Sequence, residues 1–212
     1  MSKRTLVALK VLVWILCLAP IAIWVYQGFH TQLGANPVDR IQNKTGLVVI
    51  RLLMLTLAIT PLRRLTGWNW TIKFRRLLGL FTFFYAFIHL MVYTVADNQL
   101  DIAAIVKDVG KRPFILLGML GFLAMVPLAI TSTAGWIRRM GGKNWNRLHK
   151  LIYFTGVMGV IHFWLRVKKD HSEPALYVSI LVVLLGMRLI FWVRSRQRAA
   201  RSALTPVTAE GD

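Results

Sequence analysis

Six apolar runs constrain the fold of this chain more than any other feature of its sequence. Most of them reach the roughly 20 residues that a helix needs to cross a bilayer. They cover, approximately, residues 7–28, 46–62, 76–96, 113–132, 149–166 and 175–193. The chain is 56% hydrophobic, with a mean hydropathy of +0.56, which is unusual for a soluble domain. We predict an all-α integral membrane protein, a single domain folded as a six-transmembrane-helix bundle.

The net charge of +19 is distributed in a way that predicts the topology. If the N-terminus is cytoplasmic, the segments then inside carry 18 of the 27 Lys and Arg residues. Most acidic residues fall in the outside segments, so the positive-inside rule places both termini in the cytoplasm. Residues 194–212 then form a solvated, partly disordered cytoplasmic tail. The positive-inside distribution accounts for the net charge of a protein embedded in membrane lipid, so no nucleic-acid partner is needed to explain it.

The connecting segments carry weaker signals. Residues 28–46 are rich in Gly, Asn, Pro and Thr, which indicates an ordered loop. Residues 100–109 are predicted to form a short surface helix, and Pro113 suits the first turn of the next span. The basic, Trp-rich segments 66–76 and 134–150 are typical of interfacial loops. The single cysteine, Cys17, is predicted to be a buried structural thiol.

His89 and His162 lie inside two apolar runs, where an ionisable side chain is costly and by default marks a function. Each lies 12 or 13 residues beyond the basic start of its helix, or about 20 Å along the axis at 1.5 Å per residue. Both rings are therefore expected at one depth, in the outer half of the membrane. Imidazoles on facing helices are a usual way for a bundle to hold a b-type haem. Hydrogen bonding between helices is the alternative.

His149 lies at the inner mouth of the fifth span, about 20 Å from His162 along the axis. It is a candidate ligand of a second haem, alone or with Arg75 as an unusual second ligand. Arg75 or Arg76 could instead pair with the propionates of that haem. The alternative is that all three are ordinary interfacial residues that follow the charge rule. An ideal helix turns His149 about 140° away from His162, so a helix distortion is needed to aim both at one axis.

Short motifs in a fixed order connect this chain to a known family. They are LGANP at 33–37 with TG at 45–46, ITPL at 59–62, RRLLGL at 75–80, FIHL at 87–90, TST at 131–133, RLHKLIY at 147–153 and IHF at 161–163. With the six-helix plan and the length, they resemble the MsrQ (YedZ) family, and more widely the ferric-reductase-like transmembrane domains. Those domains typically carry two histidines on each of two helices. Here Arg75 and Arg76 stand where the inner histidine of the third helix would fall.

The resemblance implies a function that spacing alone does not. MsrQ proteins are multi-pass proteins of the bacterial inner membrane that pass electrons to MsrP, a periplasmic molybdenum-containing methionine-sulfoxide reductase. The implied electron donor is the quinone pool or a cytosolic flavin reductase. The implied cofactors are one haem b, or two, and FMN, which is given no residues here. The chain would then be an electron-transfer subunit rather than the catalytic one. The alternatives are a quinone-linked cytochrome subunit of another periplasmic oxidoreductase and a cofactor-free transporter or scaffold.

Overall fold

The computed structural model describes residues 2–204, with side chains as far as residue 200. A 3₁₀ turn, Asn69–Thr71, precedes the helix Ile72–Met91, and a π-helical segment, Val92–Asp97, continues that helix. The helices, in chain order, are α1 (Lys3–Phe29), α2 (Pro37–Thr66), α3 (Ile72–Met91), α4 (Ile102–Lys111), α5 (Pro113–Ile130), α6 (Ala134–Leu148), α7 (Leu151–Arg166) and α8 (Ser172–Leu204).

Six helical segments of the described chain are long and apolar enough to cross a membrane. They are Lys3–Phe29, Pro37–Thr66, Asn69–Asp97, Pro113–Ile130, Ala134–Arg166 and Ser172–Ala200. Many large apolar side chains on them are exposed, as lipid-facing surfaces require. The predicted all-α fold with six membrane-spanning helices is confirmed.

The helices pack as two pairs, α2 with α3 and α5 with α7. Contacts of α3 with α5 and of α2 with α7 close the two pairs around a central space. α8 packs on α2 and α7, and α1 packs beside α2 and α3. We call the end of the bundle that carries the connections α1–α2, α3–α4 and α7–α8 the distal end. The proximal end carries Ser2, α6 and the last turns of α8.

Two apolar clusters hold the bundle together. One joins α2, α7 and α8 through Ile50, Leu53, Met54, Leu57, Val160, Tyr177, Leu181 and Leu184. The other joins α1, α2 and α3 through Cys17, Leu52, Phe81 and Tyr85. The Tyr85 hydroxyl donates to the Cys17 carbonyl oxygen over 2.5 Å, which satisfies the only polar atom of a fully buried side chain. The predicted burial of Cys17 is confirmed.

The loop predicted for residues 28–46 is wrong in its second half, because α2 already begins at Pro37. Asn36 caps that helix by accepting a hydrogen bond from the Asp39 N–H, and proline suits the first helical position. The first turns of α2 are polar, and hydropathy identifies only the apolar part of a helix as a membrane span, so the sequence analysis missed this start. The short helix predicted near residues 100–109 is confirmed as α4, and Pro113 does begin α5.

Two further expectations need correction. Residues 134–148 form the helix α6 rather than a loop, with a break at Gly141, whose φ is 73°. α8 continues the chain to Leu204, so the first part of the predicted tail is helical. Basic residues such as Arg194 favour helix as well as water, and composition does not separate the two. The rest of the predicted tail, residues 205–212, lies outside the described residues.

Candidate functional site

His89 on α3 and His162 on α7 face each other across the space between the two helix pairs. Their ring centroids are 6.1 Å apart and the ring planes are nearly perpendicular, at 88°. A metal–imidazole bond is about 2 Å long, so one ion held between two rings would leave their centroids about 6 Å apart. The depth match predicted from the helix starts therefore corresponds to a real approach of the two rings in the structure.

The hydrogen bonds of His162 leave one ring nitrogen for a ligand. Nδ1 lies 2.6 Å from the Phe114 carbonyl oxygen, which can only accept, so Nδ1 carries the proton. Nε2 then keeps its lone pair. A backbone carbonyl that holds one imidazole nitrogen while the other binds a metal is a common arrangement in metalloproteins.

The hydrogen bonds of His89 follow the same logic. Nδ1 lies 3.0 Å from Oγ1 of Thr45, whose own proton is donated to the Ile41 carbonyl oxygen. The threonine oxygen therefore accepts from Nδ1, and Nε2 is left as the acceptor. In this structure the Gln42 amide nitrogen lies 3.3 Å from Nε2 and donates to it. The Gln42 side chain has to turn aside before this nitrogen can bind a metal.

Two glycines set the positions of these rings. A Cβ added to Gly118 on α5 would lie 2.9 Å from Nδ1 of His162, closer than packed atoms approach each other. A Cβ added to Gly46 on α2 would lie 3.1 Å from Cε1 of His89. Each imidazole thus packs on the backbone of the neighbouring helix; a Cβ at position 118 would force a shift, and one at position 46 would require His89 to move by a few tenths of an ångström.

A cavity of about 1180 Å³ surrounds the two rings. This exceeds the roughly 300–1,000 Å³ of most small-molecule and cofactor sites. Its walls come from α2, α3, α5 and α7, and apolar side chains dominate the part nearer the proximal end. Two facing imidazoles whose Nε2 atoms can each act as an acceptor, a partly apolar cavity and glycine-backed rings fit a haem held between His89 and His162.

His149 lies apart from this cavity, at the proximal end. Its Nε2 is 3.1 Å from Oγ1 of Thr131, and its ring stacks on Trp145 with 3.8 Å between centroids. Because Thr131 donates its proton to Pro127, Nε2 carries the hydrogen and Nδ1 keeps the lone pair. Between α6 and α7 the backbone of His149 and Lys150 stays in the right-handed helical region, and the hydrogen bonds tighten there, with the Lys150 N–H donating to Arg147 and the Tyr153 N–H to Lys150.

The two arginines predicted beside His149 differ in their surroundings. Arg75 is half-buried and within electrostatic range of His149, whereas Arg76 is exposed. The structure therefore brings Arg75 to the His149 region and leaves Arg76 at the surface. Neither arginine lines the cavity around His89 and His162.

Arg188 on α8 is a polar residue inside the bundle that the sequence analysis counted only as an inner charge. It donates to the Leu57 carbonyl oxygen over 2.5 Å and to the Tyr153 hydroxyl over 2.7 Å. Pro61 has no N–H, so the Leu57 carbonyl lacks its partner within α2. The guanidinium supplies the missing donor, which lipid cannot. An arginine in an apolar run and a proline in another helix were the available signals.

The comparisons with known proteins agree with this architecture. Residues 45–160 match the family described as ferric reductase like transmembrane component. The MsrQ heme-binding subunit of protein-methionine-sulfoxide reductase from Ralstonia nicotianae is 44% identical over 98% of this chain and 97% of its own length. That of Xanthomonas axonopodis pv. citri is 49% identical over 97% and 96%. The chain belongs to the MsrQ family. It is a multi-pass membrane protein with a ferric reductase-like transmembrane domain.

The region that matches the ferric reductase family contains most of the site described above. It begins at Thr45, includes His89, Gly118 and His149, and ends just before His162. Sequence reasoning found the three histidines but missed Gly46, Gly118, Thr45 and Gln42. Glycines and threonines are common in membrane helices, so nothing in their local sequence relates them to a particular histidine.

Proposed function

We propose that this chain is the haem-binding membrane subunit of a system that reduces methionine sulfoxide in proteins, and that it conducts electrons across the membrane. The observation that carries the proposal is the facing pair His89 and His162 inside a cavity of about 1180 Å³. The relatives named as heme-binding subunits of protein-methionine-sulfoxide reductase support the system assignment. A bound haem supplies a one-electron ferric/ferrous couple.

The protein's own residues would prepare this site for electron transfer. His89 and His162 each offer Nε2, and Thr45 and the Phe114 carbonyl keep their Nδ1 atoms protonated and the rings aimed inward. Ligation by both imidazoles would leave no open position for oxygen, which favours electron transfer over oxygen chemistry. Gln42 would have to release Nε2 of His89 for that nitrogen to act as a ligand.

We propose a second haem at the proximal end, bound through Nδ1 of His149. Thr131 fixes the opposite nitrogen and Trp145 fixes the ring plane, as expected for a positioned ligand. Arg75, which is half-buried, is the better placed of the two arginines to ligate this haem or pair with its propionates. The exposed Arg76 is the weaker candidate. The two haem sites would relay electrons between the two membrane faces.

The basic proximal end is proposed to face the cytoplasm of the bacterial inner membrane, with both termini inside. Electrons would enter there from the quinone pool or a cytosolic flavin reductase. They would leave at the distal end to a periplasmic molybdenum-containing MsrP-type reductase, which repairs oxidised periplasmic proteins. FMN is proposed from family resemblance alone and is assigned no residues.

The test is haem content and spectrum of purified variants. His89→Ala and His162→Ala should each abolish the low-spin Soret and α bands of the distal haem, while His30→Ala, in an exposed connection, should leave them unchanged. A pyridine haemochrome assay gives haem per polypeptide, and His149→Ala should lower it from two to one. Retention of the full low-spin spectrum in both His89→Ala and His162→Ala would reject the ligand assignment.

A further inference from the structure

The cavity around His89 and His162 changes polarity along its length. Its proximal part is lined by apolar residues, among them Ile50, Leu53, Ala86, Phe122 and Met125. Its distal part is lined by polar and charged residues, among them Gln42, Asn43 and Tyr93, the cationic Arg112, Arg166 and Lys168, and the carboxylates Asp39, Asp97, Asp170 and Glu173. A ligand that matches this cavity has one apolar edge and one polar edge.

Two buried polar atoms at the distal part make no hydrogen bond of ordinary geometry within the part of the chain that the structure describes. They are the Tyr93 hydroxyl, which has the Asp108 carboxylate as a neighbour, and Oε1 of Gln42. Buried polar groups in folded proteins are nearly always paired, so such atoms lining one cavity indicate a polar group that belongs there. Tyr93 lies four residues after His89, in the π-helical segment, so its side chain lies one turn distal to the histidine.

Arg166 has the same relation to the other histidine. It lies four residues after His162, as the last residue of α7, one turn nearer the distal end. Its guanidinium donates to the Asn43 amide oxygen and forms an ion pair with Asp39 over 3.4 Å. The Asp39 side chain is 60% exposed, and an ion pair with so exposed a partner is weak. Arg166 can therefore exchange this partner for a carboxylate within the cavity.

We propose that Tyr93, Arg166 and the amide nitrogen of Gln42 donate to the two carboxylates of the haem, so that its carboxylate edge faces the distal end and its vinyl edge the apolar part. This orientation rests on the proposed haem at His89 and His162. The planar guanidinium of arginine matches a carboxylate in geometry and charge, and the phenol of Tyr93 adds a hydrogen-bond donor. If the haem carboxylates faced the proximal part of the cavity instead, they would contact apolar side chains inside the membrane, where an unpaired charge is costly.

The proposal assigns different roles to four polar residues near the distal end. Tyr93 and Arg166 are assigned to the carboxylates because each follows a haem ligand by one turn. Arg40 lies near the same end of α2 but outside the haem cavity, and its guanidinium donates to the Gln32 carbonyl oxygen. Asp39 is the partner that Arg166 would release. Arg40→Gln is therefore the matched control for Arg166→Gln, whereas Asp39→Asn, at a residue that lines the cavity and pairs with Arg166, tests whether the ion pair itself matters.

The experiment compares two porphyrins in the full-length apoprotein in detergent. Haem b and its dimethyl ester, in which both carboxylates are blocked, are titrated while the Soret band of the bis-histidine species is followed. The unmodified protein should bind the free acid about 10-fold or more tighter than the ester. Arg166→Gln should reduce this preference to about 2-fold and Tyr93→Phe should reduce it by several-fold, with the low-spin spectrum kept. Arg40→Gln and Asp39→Asn should preserve it.

Each outcome decides a different point. Equal affinity of the unmodified protein for the two porphyrins, or full preference in both Arg166→Gln and Tyr93→Phe, would reject the orientation and leave the haem assignment intact. Equal loss of preference in Asp39→Asn and Arg166→Gln would also overturn it, because the ion pair itself would then be the cause. No low-spin spectrum with either porphyrin would reject the proposed function and the orientation with it.

Discussion

Replacing Gly118 by alanine tests the most demanding contact of the site. The added Cβ would lie 2.9 Å from Nδ1 and 3.0 Å from Cε1 of His162, several tenths of an ångström inside ordinary contact distance. Because Phe114 and Gly118 lie one turn apart on α5, the ring cannot move away without stretching the 2.6 Å hydrogen bond from Nδ1. The imidazole must therefore lose its hydrogen-bond partner, its orientation in the cavity, or both.

The size of the effect follows from the cost of overpacking. Inserting a methyl group into a packed site costs about 1–3 kcal/mol. At about 1.4 kcal/mol for each tenfold change, haem binding at this site should weaken roughly 5- to 150-fold. Alanine also favours helix over glycine by about 1 kcal/mol, which raises the stability of the apoprotein and must be controlled.

Gly186→Ala on α8 is the matched control, because a Cβ there meets no atom within 4 Å. It carries the same gain in helix propensity and leaves the site untouched. The measurements are haem per polypeptide after purification and the rate of haem transfer to an excess of acceptor protein. If Gly118→Ala kept its haem as long and as fully as Gly186→Ala, the assigned packing of His162 against α5 would be wrong.

Two further predictions concern the groups that position the site and the bundle. Thr45→Val removes the acceptor of the His89 Nδ1 proton and should speed haem loss about 10- to 100-fold, as expected for a group that orients a ligand. Thr45→Ser keeps the hydroxyl and should leave the rate of haem loss unchanged. Equal rates of loss in the two variants would refute this role. Arg188→Gln should lower the free energy of unfolding by about 1–3 kcal/mol, because the Leu57 carbonyl then lacks a donor in the membrane. Pro61→Ala restores the helical N–H, so the same Arg188 change should cost less in that background; strictly additive effects in a double-mutant cycle would contradict the explanation.

The sequence alone established the general plan of the protein, because lipid leaves few choices. A long apolar run in hydrocarbon must be helical, so six runs predict six spans. The fixed rise of a helix then places His89 and His162 at one depth, and the structure brings their rings to 6.1 Å. The helical start at Pro37 escaped this reasoning, since hydropathy detects the part of a helix inside the membrane and not its polar continuation.

Only the tertiary structure decided which residues meet these histidines. Gly118 lies 44 positions before His162 and Gly46 lies 43 before His89, and their contacts depend on how α5 and α2 are rotated against α7 and α3. The same holds for Arg188, whose partner is a carbonyl freed by a proline on another helix. Helix rotation is set by side-chain packing along whole interfaces, which no local pattern encodes. Depth in the membrane can therefore be calculated from a sequence, whereas the neighbours of a side chain at that depth depend on the packed bundle.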